Sequence, residues 1–225
     1  MVESQEKVAT MQLVDTLDEQ ALLESLIEST KPNLIDGQRH YLIETPFRYP
    51  PLLHGSRFGS RFEPSIFYGA HTVQSMLYES AYYAFYFWSA LETSFENPVI
   101  NHKTSFEVNV KSPRYVNLCA IQDVEIQQKL RSKTDYGFTQ SVGATLRTLQ
   151  VDAFSYISAR SPNESKNIGL FNIKSLTSAP LRQCGWEVKQ TAESILFYCR
   201  ENTALNAEFQ KEIFLVNQVF PAPSA

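Results

Sequence analysis

The sequence predicts an α+β protein, with a mainly antiparallel or mixed sheet flanked by helices in a single domain. Three observations carry that expectation. Helical stretches and short alternating strands follow one another without the strand-helix-strand rhythm of a parallel sheet. The 225 residues are 43% hydrophobic and 20% charged, an ordinary globular balance, and 15 Phe with 11 Tyr supply ample core material. That length fits one enlarged domain, and no repeat or low-complexity tract divides it. Residues 1–40 read as an N-terminal extension carrying one amphipathic helix, and residues 41–225 as the main domain.

The first firm element is "TLDEQALLESLIEST". Thr16 and Glu19 have the Ser/Thr-x-x-Glu spacing of a capping box, and Leu22, Leu23, Leu26 and Ile27 form one apolar stripe. The helix over roughly 17–29 is therefore most simply a packing element, ended by "KPNLIDG". "HYLIETPFRYPPLL" reads as extended, because its prolines forbid a regular helix. A Gly/Ser/Arg-rich loop, "HGSRFGSRFEP", leads into the strand-like "SIFYG", and Thr72 caps a helix running to about Leu91. "SFEVNVKS" alternates Phe106, Val108 and Val110 as a strand, "YVNLCAI" is another strand candidate, and "DVEIQQKLRS" reads as a short helix. Next come "TQSVGATLRTLQ" as helix, "AFSYISAR" as strand, "SPNESK" as turn and "NIGLFN" as strand. The tail "GWEVKQTAESILFYCRE" reads as two strands with a polar turn, followed by a helical "NAEFQKEIF".

Composition narrows the function classes. A net charge of -4 argues against a general nucleic-acid or anionic-membrane surface, since both need concentrated positive charge. Cys119, Cys184 and Cys199 are widely spaced and fit reduced core thiols better than a disulfide framework or a zinc site. His40, His54, His71 and His102 show no i, i+4 pairing, so no metal is expected. "MVESQEKVAT" has no apolar h-region, and "SAYYAFYFWSAL" is too short to span a bilayer. A cytoplasmic location is the expectation.

From Pro64 to Leu91 the only formal charge is Glu79, set among aromatic residues on the helix that follows Thr72. An unpaired buried carboxylate is costly, so Glu79 needs a cation or hydrogen-bond donors, and Arg48, Arg57 and Arg61 are the nearest cations in sequence. Two readings stand level on residue types. Glu79 forms a buried salt bridge that fastens the loop to the helix, or it stays ionised in a cleft where arginines hold an anionic substrate. "GSRFGSR" suggests a phosphate-cradling loop but lacks the P-loop ending, and reads equally as a solvated flexible loop.

The order of several segments adds to this. "FRYPP" holds Arg48 and Tyr49, "GSRFG" holds Arg57, "SIFYG" holds Tyr68, and "SMLYESAYY" holds Glu79, eleven positions beyond Tyr68. "DYGFTQSVG" and "YISARSPNESKNIGLF" follow, so the pattern covers roughly residues 41–175. The pattern resembles the RES domain, the toxin half of bacterial RES/Xre toxin-antitoxin pairs, whose members degrade NAD+. One departure is Ile157, which stands where the family's "PSAR" has Pro; the Ser158 hydroxyl is kept.

The resemblance implies a fold similar to that of ADP-ribosyltransferase toxins, with a cleft for NAD+. The implied reaction is cleavage of the nicotinamide N-glycosidic bond, with phosphate or water as acceptor; NAD+ is substrate, inorganic phosphate the co-substrate, and no resident cofactor is implied. Glu79, Arg48, Tyr68 and Ser158 are the implied catalytic residues. Arg57 and Tyr49 are implied in substrate binding, with Thr139 and Ser141, beside Gln140, as fallback hydroxyls. On residue types alone the tyrosines are strand packing and Ser158 a plain strand serine. Two alternatives remain: transfer of ADP-ribose to a macromolecule, and a non-catalytic binding module. An Xre-type antitoxin is the implied partner, with no direct nucleic-acid or membrane contact; the sequence does not indicate an oligomeric state.

Overall fold

The structure, a computed structural model, describes residues 1–3, 14–30, 39–49, 51–92, 95 and 97–222. Helix α1 (Leu17–Thr30) starts on the expected capping box: Glu19 N donates to Thr16 Oγ1 at 3.2 Å and Thr16 N to Glu19 Oε2 at 3.1 Å. Its stripe does not pack as expected. Leu22 and Leu26 are 60% and 55% exposed, and Gln20 is the only buried side chain described on it. Local capping is enough to set the helix, but no core element lies under it among the described residues.

The segment read as extended is helical. Helix α2 (Tyr41–Arg48) contains Pro46, and His40 Nδ1 caps its start by accepting from Leu42 N at 3.2 Å. Pro46 removes one intrahelical donor, whereas the helix buries Leu42 and Ile43 and stacks Phe47 on Phe67. Tyr49 is extended, the conformation favoured before proline, and the helix stops there.

Two sheets form the scaffold, and the α+β class holds. The smaller runs β2 (Phe67–Ala70), β6 (Lys166–Leu170), β5 (Ala153–Ile157), β4 (Tyr115–Asn117), antiparallel except for the β4/β5 pair. The larger runs β1 (Val2–Glu3), β3 (Val99–Glu107), β7 (Leu181–Gln190), β8 (Ser194–Cys199), β9 (Ala207–Gln210), all antiparallel. Strand β3 begins before the predicted "SFEVNVKS" and stops at a bulge between Ser105 and Glu107; beyond it Val110 makes only an isolated bridge to Leu176. "NAEFQKEIF" is not an α-helix: it completes the larger sheet as β9 and then makes a 3-10 turn at Lys211–Phe214.

Helix α3 (Val73–Ser89) starts at Thr72, whose Oγ1 accepts from Ser75 N at 3.2 Å. Its Leu77, Ala81 and Phe85 pack against Trp186, Val188 and Phe197 of the larger sheet. Helices α4 (Val124–Leu130) and α5 (Gly137–Thr148) cover the smaller sheet, where Leu146 joins Phe58, Phe154 and Tyr156. On the same sheet Ile43 of α2 packs with Phe67, Ala153 and Leu170.

The expectation of three reduced thiols holds for Cys119 only. Trp186 pairs with Cys199 across β7 and β8, which makes Cys184 a diagonal neighbour of Cys199 on one face, and the two are joined as a disulfide. Glu201 lies beside them. Spacing in sequence carries no information on that cross-strand register.

Candidate active site

Between the two sheets, with α3 along one wall, runs a cleft of about 1170 Å³. That exceeds the roughly 300–1,000 Å³ of ordinary small-molecule sites, and so admits a dinucleotide-sized ligand. Glu79 projects into it from α3, a little over one turn past Ser75.

The carboxylate of Glu79 is held by neutral donors. Its Oε1 accepts from Ser158 Oγ at 2.7 Å and from Asn167 Nδ2 at 2.8 Å. Ser158 Oγ in turn accepts from the backbone N–H groups of Arg160 and Ser161, each at 3.1 Å, so its own proton is directed to Glu79. Asn167 Oδ1 accepts from Ser75 Oγ at 2.8 Å, which sets the amide with its nitrogen toward Glu79. Ser75, Ser158 and Asn167 are all buried. Oε2 of Glu79 has no hydrogen bond among the described residues and is the oxygen left for a ligand. The salt-bridge reading is corrected: no ion pair to Glu79 is found among the described residues, and its hydrogen bonds come from Ser158 and Asn167.

The "GSRFGSR" stretch is not a solvated loop. Gly55, at φ 71°, allows a tight turn in which Ser56 N donates to Gly59 O at 2.7 Å. Arg57 and Phe58 turn inward and are buried. Arg57 Nη1 donates to Ser132 O at 2.8 Å and Leu130 O at 3.3 Å, its guanidinium lies 4.8 Å from the Tyr136 ring centroid, and it lines the cleft. Its Nε and Nη2 have no hydrogen-bond partner among the described residues. Burial works against its charge, but Tyr136, Glu79 and Tyr156 around it outweigh this and leave its pKa above the ordinary value.

The turn is clamped from α5. Gln140 Nε2 donates to His54 O at 3.2 Å and Ser56 O at 3.1 Å, while a Cβ on Gly143 would overlap the Phe58 carbonyl oxygen. Tyr68 fastens it from β2: the hydroxyl accepts from Phe58 N at 3.0 Å and shares a 2.9 Å hydrogen bond with Ser56 Oγ. Although the Tyr68 ring is partly exposed, its hydroxyl end is enclosed, and burial pushes its pKa up to about 12. Burial likewise pushes Tyr83 and Tyr156 well above the ordinary tyrosine value. These tyrosines stay neutral donors and acceptors at any physiological pH.

Glu79, Arg57 and Tyr68 thus line the same cleft, with Ser158 behind Glu79 rather than on the wall. Arg48 and Tyr49 end α2 and are not among the residues lining the cleft, although Pro46 of the same helix is. Thr139 is buried and donates to Tyr136 O at 3.0 Å, and Ser141 is exposed on α5, so neither hydroxyl reaches the cleft.

Sequence reading gave no site role to Asn167, Tyr156, Tyr136 or Arg160, although all four lie in "DYGFTQSVG" and "YISARSPNESKNIGLF", the segments that carry the resemblance. Tyr156 had a signal, since it lies two residues before Ser158 in the stretch "AFSYISAR" read as a strand, where such residues share a face. Asn167 stands opposite Tyr156 in the β5/β6 register, which only the pairing reveals. Arg160 donates through Nη2 to Tyr136 OH at 3.0 Å and lies 3.5 Å from the Tyr82 ring centroid, so Tyr136 is contacted by two guanidinium groups.

The scaffold is α+β with two sheets, and one large cleft is lined by both Glu79 and Arg57. The RES domain family matches residues 32–188, well over half of the chain, and the chain belongs to that family. Membership supports a toxin-like, NAD-related function in general terms. No curated protein matches the chain. No helix among the described residues is long and apolar enough to cross a membrane.

Proposed function

We propose that the protein degrades NAD+ by cleaving the nicotinamide N-glycosidic bond, with inorganic phosphate or water as acceptor. The observation that carries this reading is the state of Glu79: one oxygen is held by Ser158 and Asn167, the other is free, and both sit in a cleft shared with Arg57.

As the bond breaks, nicotinamide leaves with the bonding electron pair and the ribose gains oxocarbenium character. A carboxylate whose position is already set stabilises that charge without reorganising, directly or through a ribose hydroxyl. Phosphate then attacks the anomeric carbon to give a phosphorylated ADP-ribose, or water attacks and gives up a proton to give ADP-ribose. The unpartnered edge of Arg57 suits bidentate contact with the diphosphate of NAD+ or with the attacking phosphate. NAD+ is thus substrate, and no step uses a metal or resident cofactor. An Xre-type antitoxin that covers the cleft is the partner this reading implies. The test is NAD+ disappearance with and without phosphate. Labelled macromolecule would point to ADP-ribosyl transfer, and no nicotinamide release under either condition to a binding module.

A further inference from the structure

Asn167 is 1% exposed on β6 and Ser75 is 0% exposed on α3. Two neutral polar side chains therefore meet in a packed interior, and together they aim an N–H at Glu79, with the Tyr156 hydroxyl as a further hydrogen-bond partner of Asn167. Strand packing does not demand them, because a matched pair of apolar side chains in the same volume is close to neutral for stability. Their placement does serve the carboxylate. The last torsion of a glutamate is broad, and one donor on Oε1 leaves the carboxylate plane free to swing. Ser158 approaches from the end of β5 and Asn167 from the neighbouring strand, and two donors on one oxygen define that plane.

We infer that Asn167, oriented by Ser75, is a positioning residue that fixes which oxygen of Glu79 faces the cleft. The inference rests on the reading of Glu79 as the charge-stabilising carboxylate. Ser75 Oγ–H holds Asn167 Oδ1, which turns Nδ2 to Glu79 Oε1 and presents Oε2 to the sugar. A chain of three side chains from α3 to β6 and back to α3 thereby keeps the helix and the smaller sheet in one register at the site.

The experiment measures NAD+ consumption against pH for the full chain and for the variants Asn167→Ala, Asn167→Asp, Ser75→Ala and Glu79→Gln, each with a thermal melt. Asn167→Ala is expected to lower kcat about 10- to 100-fold with KM changed by no more than about twofold, the range typical of a lost supporting hydrogen bond. Asn167→Asp sets a second carboxylate against Glu79 and is nearly inactive at neutral pH. It regains activity as the pH falls, because the introduced carboxyl, once protonated, again donates to Oε1, whereas a role in stability alone would give a loss that does not depend on pH in this way. Should neither Asn167 variant fold, Ser75→Ala, which only frees the amide to turn, is expected to lower kcat about 3- to 10-fold. Glu79→Gln inactive while Asn167→Asp keeps the wild-type pH profile, or while Asn167→Ala or Ser75→Ala keeps wild-type kcat, overturns the positioning role alone. Wild-type turnover in Glu79→Gln overturns the parent reading and this inference with it.

Discussion

Ser158 Oγ donates a 2.7 Å hydrogen bond to Glu79 Oε1 across 79 residues of sequence, joining the end of β5 to the middle of α3. Because Ser158 Oγ also accepts from two backbone N–H groups, its removal has two consequences. Ser158→Ala is expected to lower kcat for NAD+ cleavage about 10- to 100-fold and also to lower the melting temperature, since two buried donors lose their acceptor. Steady-state kinetics and a thermal melt on the same preparation check both.

Arg57→Lys is expected to raise KM for NAD+ about 10-fold or more, because an ammonium cannot both grip the Leu130 and Ser132 carbonyls and present a planar edge to the cleft. Titration calorimetry with NAD+ checks this on the otherwise inactive Glu79→Gln background, and an unchanged dissociation constant would count against the clamp.

Gly143→Ala places a methyl group against the Phe58 carbonyl, at the contact where α5 meets the Arg57 turn. Backbone atoms on both sides cannot yield cheaply, so a loss of about 1–3 kcal/mol in stability is expected. Chemical denaturation measures it, and a variant as stable as the parent would contradict the close approach.

Asp152, on the loop before β5, accepts from Arg114 Nε at 3.0 Å and Nη2 at 2.7 Å, and from Asn172 and Ser112. Hydrogen bonding to Arg114, aided by the others, holds its carboxyl below the ordinary 3.8. The unfolded chain therefore takes up the proton first as acid is added. The stabilisation is fully present above the unfolded value and is lost as pH falls through the lower folded value. Melts between about pH 7 and about pH 2 are expected to show a steeper acid loss for the parent than for Asp152→Asn, which starts lower and titrates less. Parallel curves would contradict this.

What was legible in sequence was local. The Thr16 and Thr72 caps, the strand through Phe154 and Tyr156, and the spacing from Tyr68 to Glu79 depend on neighbours along the chain, and each appears as read. The errors arose where tertiary contacts decide. Pro46 sits inside a helix because Leu42 and Ile43 find a core. The α1 stripe faces outward because no described core element lies beneath it, and Cys184 meets Cys199 through strand register. At the site, sequence offered arginines as partners for Glu79, yet the hydrogen bonds come from Ser158 and Asn167. The order of motifs pointed to Ser158 and took in Asn167 within "NIGLF", but the contact of Asn167 with Glu79 becomes visible only once β6 is paired with β5. In "GFTQSVG" the residues that brace the Arg57 turn are Gln140 and Gly143, rather than the hydroxyls flanking Gln140.

The most direct measurement is the rate of NAD+ loss, with and without phosphate, for the parent and for Glu79→Gln, which keeps the side chain's shape while removing its charge. The expected result is nicotinamide release by the parent and a fall of about 100-fold or more in the variant, with an unchanged melting temperature within a few degrees. A parent that releases no nicotinamide, or a Glu79→Gln variant that turns over NAD+ at the parent's rate, would contradict it.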